Sequence, residues 1–252
     1  MPLLSNIDYI TLIQVLFIFF AGGVVKGLIG VGLPTVSLTL LSFLFDIKDS
    51  ISIILIPVIL TNFYQMLDGK NMRLILSETK LFLIFSVIFI VPGFFVLRIL
   101  DSNVILFILA SLLILNSSIA LLNYELKFKN HQSSFLQISI GAMTGMTTGI
   151  TSIYTMPFIF LIQSLNYSKD KVIQLMGICF FLFSITQLIL FSSTGMIDVN
   201  KISLSLTACV PILVGVVIGT KLRKRIGESM FKKLFNLMLI LMGSLLIAKL
   251  FI

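Results

Sequence analysis

The chain has 252 residues, of which 58% are hydrophobic and 11% are charged. Soluble domains carry roughly 25% charged residues, and even a domain near 300 residues buries only about 75% of its unfolded surface. The composition therefore predicts an integral membrane protein and excludes soluble enzymes, secreted disulfide scaffolds and nucleic-acid-binding domains. The net charge of +8 fits basic loops between apolar segments, so we expect no nucleic acid partner.

Eight main membrane segments are expected along the chain. A bilayer core about 30 Å thick requires about 20 helical residues, and six apolar runs have roughly that length. They are residues 51–67, 81–97, 104–122, 172–196, 202–220 and about 230–248. The two other runs, 9–45 and 135–165, would reach about 55 and about 46 Å at 1.5 Å per residue, so neither is one straight crossing.

Both long runs are interrupted in the middle by glycine and proline. The first interruption covers residues 22–34 and the second covers residues 141–157. These are the residues at which helices break. Broken backbone at membrane depth is tolerated only where it is buried in protein or faces a water-filled cavity. We therefore expect a broken helix in each long run.

The two interruptions resemble each other. Gly23 and Gly27 recur as Gly141 and Gly145, and the proline that follows each stretch matches after a small insertion. Each half is then a broken or re-entrant helix followed by three ordinary spans. Interrupted segments at matching positions of two halves are the best sequence pointer to a transporter's binding site. The pattern predicts an all-α polytopic membrane protein made of two repeats.

Loop charges indicate how the broken segments run. If each broken segment crosses once, the Lys and Arg residues of the loops divide 7 to 10; if each goes in and returns, they divide 4 to 13. The positive-inside rule favours the second path, with both termini outside the plasma or inner membrane. The odd number of crossings makes the repeats, residues 1–130 and 131–252, inverted within one transport domain. Re-entrant hairpins and paired short crossings remain equally open.

Lys26 is the only charged residue deep inside an apolar run. A charge at the bilayer centre costs at least about 2.5–3.5 kcal/mol on insertion scales, so its presence requires a reason. The functional interpretation is an electrostatic anchor for an anion. The alternative is a lysine that snorkels to the interface or pairs structurally.

Polar groups and bare glycine backbone accompany Lys26 in the predicted site. Glycine lets an anion approach backbone N–H groups, and a helix that starts after a break directs its positive dipole end toward the break. Hydroxyls and amides can also donate to an oxyanion, although helix packing and interhelical hydrogen bonds are the ordinary uses of such residues. The predicted substrate-binding residues are Lys26, Gly27, Gly30, Gly32, Thr35, Asn62, Gln65, Thr148, Gly149, Thr151 and Gln174.

Catalysis and metal binding find no support in the sequence. His131 is the sole histidine and lies in a polar loop, and Cys179 and Cys209 lie inside apolar runs without neighbours at metal-ligand spacing. No zinc-protease, nucleophile-elbow or phosphate-loop motif occurs. We therefore expect no catalytic residue, no metal and no cofactor.

The first half contains VKGLIGVGLPT at 25–35 and LTNFYQ at 60–65. These two stretches resemble the TauE/SafE family of sulfite exporters. The second half shows the same resemblance at 149–157, 163–165, 170 and 172–177, so one family unit lies in each half. Many members carry three or four consecutive glycines at the first break, whereas this chain has GVGLP at 30–34, which resembles a subgroup.

The resemblance implies transport of small sulfur oxyanions and organosulfonates, such as sulfite or sulfoacetate, usually out of the cell. An anion that leaves a cell that is negative inside gains about 2.3 kcal/mol per charge per 100 mV, so efflux needs no coupled cation. The expected partners are the anion and the lipid bilayer, and the oligomeric state is open, with a homodimer as one option. The alternatives are an anion channel, an importer of other small organic anions, and a non-transporting membrane assembly subunit.

Overall fold

The computed structural model describes residues 8–122, 128, 133–165, 167–223 and 228–251, without the side chains at 228, 229, 231, 232 and 234. The described residues form eleven α-helices and no strand, which confirms the all-α class. The helices are α1 (Tyr9–Ile29), α2 (Leu33–Leu41), α3 (Ile47–Leu67), α4 (Met72–Glu78), α5 (Lys80–Ile99), α6 (Ser102–Leu121), α7 (Ser134–Thr151), α8 (Phe158–Ser164), α9 (Lys169–Ser193), α10 (Val199–Arg223) and α11 (Glu228–Lys249). His131 and the predicted repeat boundary at 130/131 lie outside the described residues.

Six helices within the described residues are long and apolar enough to cross a membrane: α1, α3, α5, α6, α9 and α10. The last five of these confirm five of the six predicted spans. The sixth predicted span, 230–248, falls in α11, whose apolar part is Phe235–Lys249. The chain is thus a multi-pass membrane protein.

Both long apolar runs are broken where glycine and proline predict it. The first run divides into α1 and α2 around residues 30–32, and the second divides into α7 and α8 around residues 152–157. The short helix α4 was not predicted, because its residues lie in a stretch that reads as a charged loop. It lies between α3 and α5, and its last residue, Glu78, makes the contacts described below.

The helices form two compact units, and each unit combines helices from both halves of the chain. Unit 1 consists of Met1–Val58, Ser102–Leu122 and Phe191–Ile252. Unit 2 consists of Ile59–Asp101 and Asn123–Leu190. The main helix pairs of unit 1 are α1 with α10 and α6 with α11, and the main pair of unit 2 is α5 with α7. The first helix of each broken segment therefore packs on a helix from the other half of the chain.

In unit 1, glycines allow the backbones of α1 and α10 to touch. A Cβ atom on Gly23 would overlap the carbonyl of Ile212, and one on Gly27 would overlap the carbonyl of Val216. Gly215 on α10 lies equally close to α1. Residue numbers increase in the same direction along α1 and α10 at this contact, so the two helices are parallel. Small residues serve this purpose at helix interfaces in membranes, where close backbone approach gives van der Waals contact.

Unit 2 repeats this packing between α5 and α7. A Cβ atom on Gly141 would lie 2.7 Å from the carbonyl oxygen of Phe82, and one on Gly149 would lie 2.5 Å from that of Ile90. Eight residues along α7 thus match eight residues along α5, so these helices are also parallel. The glycines that mark the sequence repeat are accordingly used in both units for helix packing.

Both ends of the broken segment of unit 2 lie next to one residue, Glu78, at the end of α4. Gln137, in the first turn of α7, donates from Nε2 to the Glu78 carbonyl at 2.8 Å. Tyr167, which follows α8, donates its hydroxyl to the Glu78 carboxylate, and the Lys171 ammonium lies 3.3 Å from the same oxygen. Burial, together with the bond and charge of Glu78, raises the pKa of Tyr167 and keeps it a donor. The segment therefore enters unit 2 and returns to its starting end.

The broken segment of unit 1 follows the same kind of path. Lys201 in the first turn of α10 pairs with Asp49 in the first turn of α3. Because α1 runs parallel to α10, these two helices start at the same end of the unit, which is also where α3 starts. The end of α2 lies at this end too. Lys249, at the end of α11, donates to the Ser42 carbonyl next to α2 at 2.9 Å. Both broken segments thus agree with the in-and-back path that the loop charges favour.

We expect Gly215→Val to destabilise unit 1, because the added side chain would meet the α1 backbone at Phe20. Forcing extra methyl groups into a packed interface costs about 1–3 kcal/mol. The thermal unfolding midpoint of the purified protein in detergent should therefore fall. The matched control is Val214→Leu, since the neighbouring Val214 side chain is exposed on the outer face of α10. Equal midpoints for the two variants would contradict the α1–α10 backbone contact.

Candidate functional site

The first break is built on two glycines with left-handed backbone. Gly30 caps α1 with φ 82°, and its N–H donates to the Lys26 carbonyl at 2.7 Å. Gly32 has φ 98° and precedes the first residue of α2. A side chain disfavours this region of φ, and a Cβ on Gly32 would also lie 3.0 Å from Val25 and 3.1 Å from Phe235. Backbone geometry therefore favours glycine at both predicted positions, and lack of space adds to this at Gly32.

Lys26 lies in the last turn of α1, immediately before this break. Its side chain is only 6% exposed. The C-terminal end of a helix carries partial negative charge, which favours a cation there. Lys26 is thus buried in unit 1 beside the helix break, and its role in anion binding stays a prediction.

The helix after the break, α2, starts without a side-chain cap. Its N-cap is Gly32, and Pro34 occupies its first turn. Proline has no N–H and fits a first turn for that reason. Thr35, another predicted site residue, is buried in the same turn. An uncapped helix start presents backbone donors and the positive dipole end, which together favour an anion.

A buried hydroxyl near this break lacks a hydrogen-bond partner. Ser37 Oγ on α2 is fully buried and has no partner within the part of the chain that the structure describes. It lies against Gly22 of α1, where a Cβ atom would overlap it. Gly22 is one turn before Lys26 on the same face of α1. Ser37 was not among the predicted site residues, because the sequence does not distinguish a serine at a binding site from one used in helix packing.

The second break, in unit 2, is a closed loop of hydrogen bonds. The Thr147 hydroxyl donates to the Met156 carbonyl at 2.7 Å, and the Thr148 hydroxyl donates to the Ile153 carbonyl at 3.2 Å. The Thr151 hydroxyl donates to the Thr147 carbonyl at 2.8 Å. The predicted anion donors Thr148 and Thr151 thus already use their hydroxyl hydrogens within the loop. To serve an anion they would have to break these bonds.

Gln187 on α9 connects to the same loop. Its Nε2 donates to the Thr148 carbonyl at 2.9 Å and to Ser152 Oγ at 2.8 Å, and its Oε1 accepts from the Tyr154 hydroxyl at 3.0 Å. Gln187, Ser152 and Tyr154 are all buried. None of the three was among the predicted site residues, because no sequence spacing links Gln187 to a loop more than 30 residues earlier.

The amides of Gln65 and Gln174 join α3 and α9 within unit 2. Gln65 Nε2 donates to the Ile173 carbonyl at 2.9 Å. Gln174 Nε2 donates to the Met66 carbonyl at 3.1 Å, and its Oε1 accepts from the Asn71 N–H at 2.9 Å. Gln65 thus bonds to backbone near the start of α9, and Gln174 bonds to backbone at and just after the end of α3, so in this structure both side chains hold helices together. Their predicted role in anion binding stays a prediction.

The predicted site residues therefore divide into two groups. Lys26, Gly27, Gly30, Gly32 and Thr35 lie together at the first break in unit 1. The second group, in unit 2, consists of Asn62, Gln65, Thr148, Gly149, Thr151 and Gln174. Asn62 is fully buried on α3, and Gly149, like Gly27, is in contact with a neighbouring helix backbone.

The first break combines one cation, Lys26, with hydrogen-bond donors. Within the described residues, no three His, Cys, Asp or Glu side chains form a group that could hold a metal ion. A buried ammonium, a helix start and a hydroxyl can bind an oxyanion without further charge.

Comparison with known protein families gives a match over most of the chain. The family model described as "Sulfite exporter TauE/SafE" matches residues 15–246, which is nearly the whole chain. No curated protein and no solved structure matches the chain.

Proposed function

The chain belongs to the TauE/SafE sulfite exporter family, and from that premise we propose that it exports sulfite or organosulfonate anions across the cell membrane. The family is one of transporters and not of enzymes. The observation that carries the proposal is the burial of Lys26 beside the first helix break. The proposed binding site is centred on this break.

Three groups supply the attraction for the anion at this site. The Lys26 ammonium provides charge, and charge-assisted hydrogen bonds are about twice as strong as neutral ones. The start of α2 adds roughly half an elementary positive charge and backbone N–H groups. The Ser37 and Thr35 hydroxyls, both buried on α2, supply further donors. A sulfite or sulfonate group has three oxygens, so it can accept from several of these donors at once.

The direction of transport follows from the membrane potential. Since the cytoplasm is negative, each anionic charge gains about 2.3 kcal/mol per 100 mV on leaving. All ten Asp and Glu residues lie in loops or at the ends of apolar runs. The proposal therefore requires no proton relay through carboxylates at membrane depth.

The two halves are proposed to be inverted repeats with both termini outside. The support is the in-and-back path of each broken segment, which leaves three single crossings per half. An odd number of crossings turns the second half over relative to the first. The same path gives the 13 to 4 distribution of loop Lys and Arg, with the larger number in the cytoplasm.

Lys26→Ala should weaken anion binding. Loss of a charge-assisted hydrogen bond costs about 1.5–3 kcal/mol net, which corresponds to a tenfold to hundredfold rise in Kd for sulfite. Lys26→Arg should not restore affinity, because a planar guanidinium differs in shape from a compact ammonium. The measurement is sulfite binding and flux with purified protein in proteoliposomes.

The control for this experiment is Lys70→Ala, which removes an equal charge from an exposed loop residue. It should leave the Kd within about twofold, since exposed charges are screened within a Debye length of about 10 Å. Unchanged affinity in folded, inserted Lys26→Ala protein would contradict the proposed site and favour a lysine with a structural role.

The topology is tested by cysteine labelling in a variant with Cys179 and Cys209 replaced by serine. We expect a membrane-impermeant thiol reagent to label Asp101→Cys in intact cells, because residue 101 lies in a proposed outer loop. Asp68→Cys should react only after the cells are permeabilised. Both aspartates are exposed in the structure. Labelling of the two positions with the opposite pattern would exclude the proposed orientation.

A further inference from the structure

We infer that Gln187 is a positioning residue that holds the second break in its left-handed turn at Ser152, and that transport depends on this bond. The inference rests on the proposed transport function for its flux readout. It concerns Gln187, Ser152 and Tyr154, which neither the anion site nor the family match assigns. It is carried by the contacts of Gln187, all within unit 2.

Ser152 occupies a backbone conformation that normally requires glycine. Its φ is 57°, and it is the one residue other than glycine with positive φ in the described part of the chain. At the end of α1 the equivalent capping position is filled by Gly30, which adopts this conformation without a side-chain penalty. The second break therefore uses a strained residue where the first break uses a relaxed one.

The Gln187 amide bonds to both ends of the strained turn. One Nε2 hydrogen bond goes to Ser152 Oγ at 2.8 Å and another to the Thr148 carbonyl at 2.9 Å. The Ser152 N–H donates to that same Thr148 carbonyl at 2.8 Å. The amide thus closes a ring around the turn. A serine is needed at 152 for this ring, because glycine offers no hydroxyl.

Tyr154 fixes the orientation of the amide. Its hydroxyl donates to Gln187 Oε1 at 3.0 Å, which leaves Nε2 directed at Ser152 and Thr148. The Tyr154 ring packs against Phe180 and Phe183 of α9, with centroids 5.3 and 6.0 Å away. The residues after the break are therefore held on α9 by ring contacts and hydrogen bonds together.

These hydrogen bonds indicate the role of the second break in transport. The hydroxyls of Thr147, Thr148 and Thr151 already donate within the loop, so these three residues contribute shape and not free donors. Unbonded peptide groups at membrane depth are costly, and a broken helix keeps its shape only if its polar groups are satisfied. Without Gln187, the strain at Ser152 is no longer opposed, and the break is expected to relax.

The experiment compares Gln187→Met, Ser152→Gly and the double variant by sulfite flux into proteoliposomes and by thermal unfolding. Gln187→Met should lower flux about tenfold, equivalent to about 1.4 kcal/mol. In the Ser152→Gly background the same change should lower flux less than about threefold, because glycine needs no bond to adopt the turn. Thr186→Val, which removes a hydroxyl bonded only within α9 to Leu182, is the control and should leave flux unchanged.

A second comparison leaves Gln187 intact. Ser152→Ala keeps the strained backbone and removes the hydroxyl, whereas Ser152→Gly removes both. Alanine should therefore reduce flux and the unfolding midpoint more than glycine does, since a left-handed position at a helix end favours glycine. This comparison tests the strain at residue 152 if Gln187→Met protein does not fold.

Three results would overturn the inference: unchanged flux in Gln187→Met, an equal loss in both backgrounds, or alanine tolerated as well as glycine at 152. If the wild-type protein carries no sulfite or sulfonate, the proposed function fails. The unfolding midpoints then still test the bond, because a smaller effect of Gln187→Met in the Ser152→Gly background supports it and an equal effect excludes it.

Discussion

A break in a helix leaves peptide groups without intrahelical partners, and both broken segments of this protein are built around that constraint. The structure meets it in two ways. At the first break, glycines at 30 and 32 turn the chain without strain and leave the start of α2 uncapped. At the second break, threonine, serine and glutamine side chains satisfy the loop from within. The same constraint thus yields one break with an uncapped helix start and one whose loop is closed by side-chain hydrogen bonds.

The two breaks also differ in charge. The buried lysine belongs to the first break, and the polar side chains that bond the second break are neutral. A single ammonium next to an uncapped helix start is suited to an oxyanion, since a second cation would raise the cost of insertion and slow release. Transport requires binding that is strong enough to select the anion and weak enough to let it leave. One charge with several neutral donors meets both requirements, because it selects the anion without holding it too strongly for release.

The sequence alone predicted the features that depend on local composition. Hydropathy predicted five of the long spans, and glycine with proline predicted both breaks, since each of these follows from the residues in one window. Helix partners could not be predicted in this way. Gly27 and Val216 are far apart in the chain, and nothing in the local pattern indicates that they touch. A GxxxG spacing shows that a helix can pack closely but does not show on which neighbour.

The same limit applies to the site. Lys26 could be selected because a charge in an apolar run is unusual wherever it occurs, and its burial beside the break follows that expectation. Gln174 and Gln187 could not be ranked, because both are amides in apolar runs and differ only in what they bond. Gln174 bonds the backbone at the end of α3, whereas Gln187 bonds the second break. Only the tertiary contacts separate these two roles.

The proposal that the protein moves small sulfur anions through a site with one buried cation is tested most directly by a flux panel. Purified protein in proteoliposomes would be offered sulfite, sulfate, thiosulfate, organosulfonates, small carboxylates and an uncharged sulfone of similar size. The account predicts saturable flux of sulfite or a sulfonate, accelerated by a potential that drives anions across, and no flux of the sulfone. Flux of every anion at protein-free background, or flux that does not saturate, would contradict it.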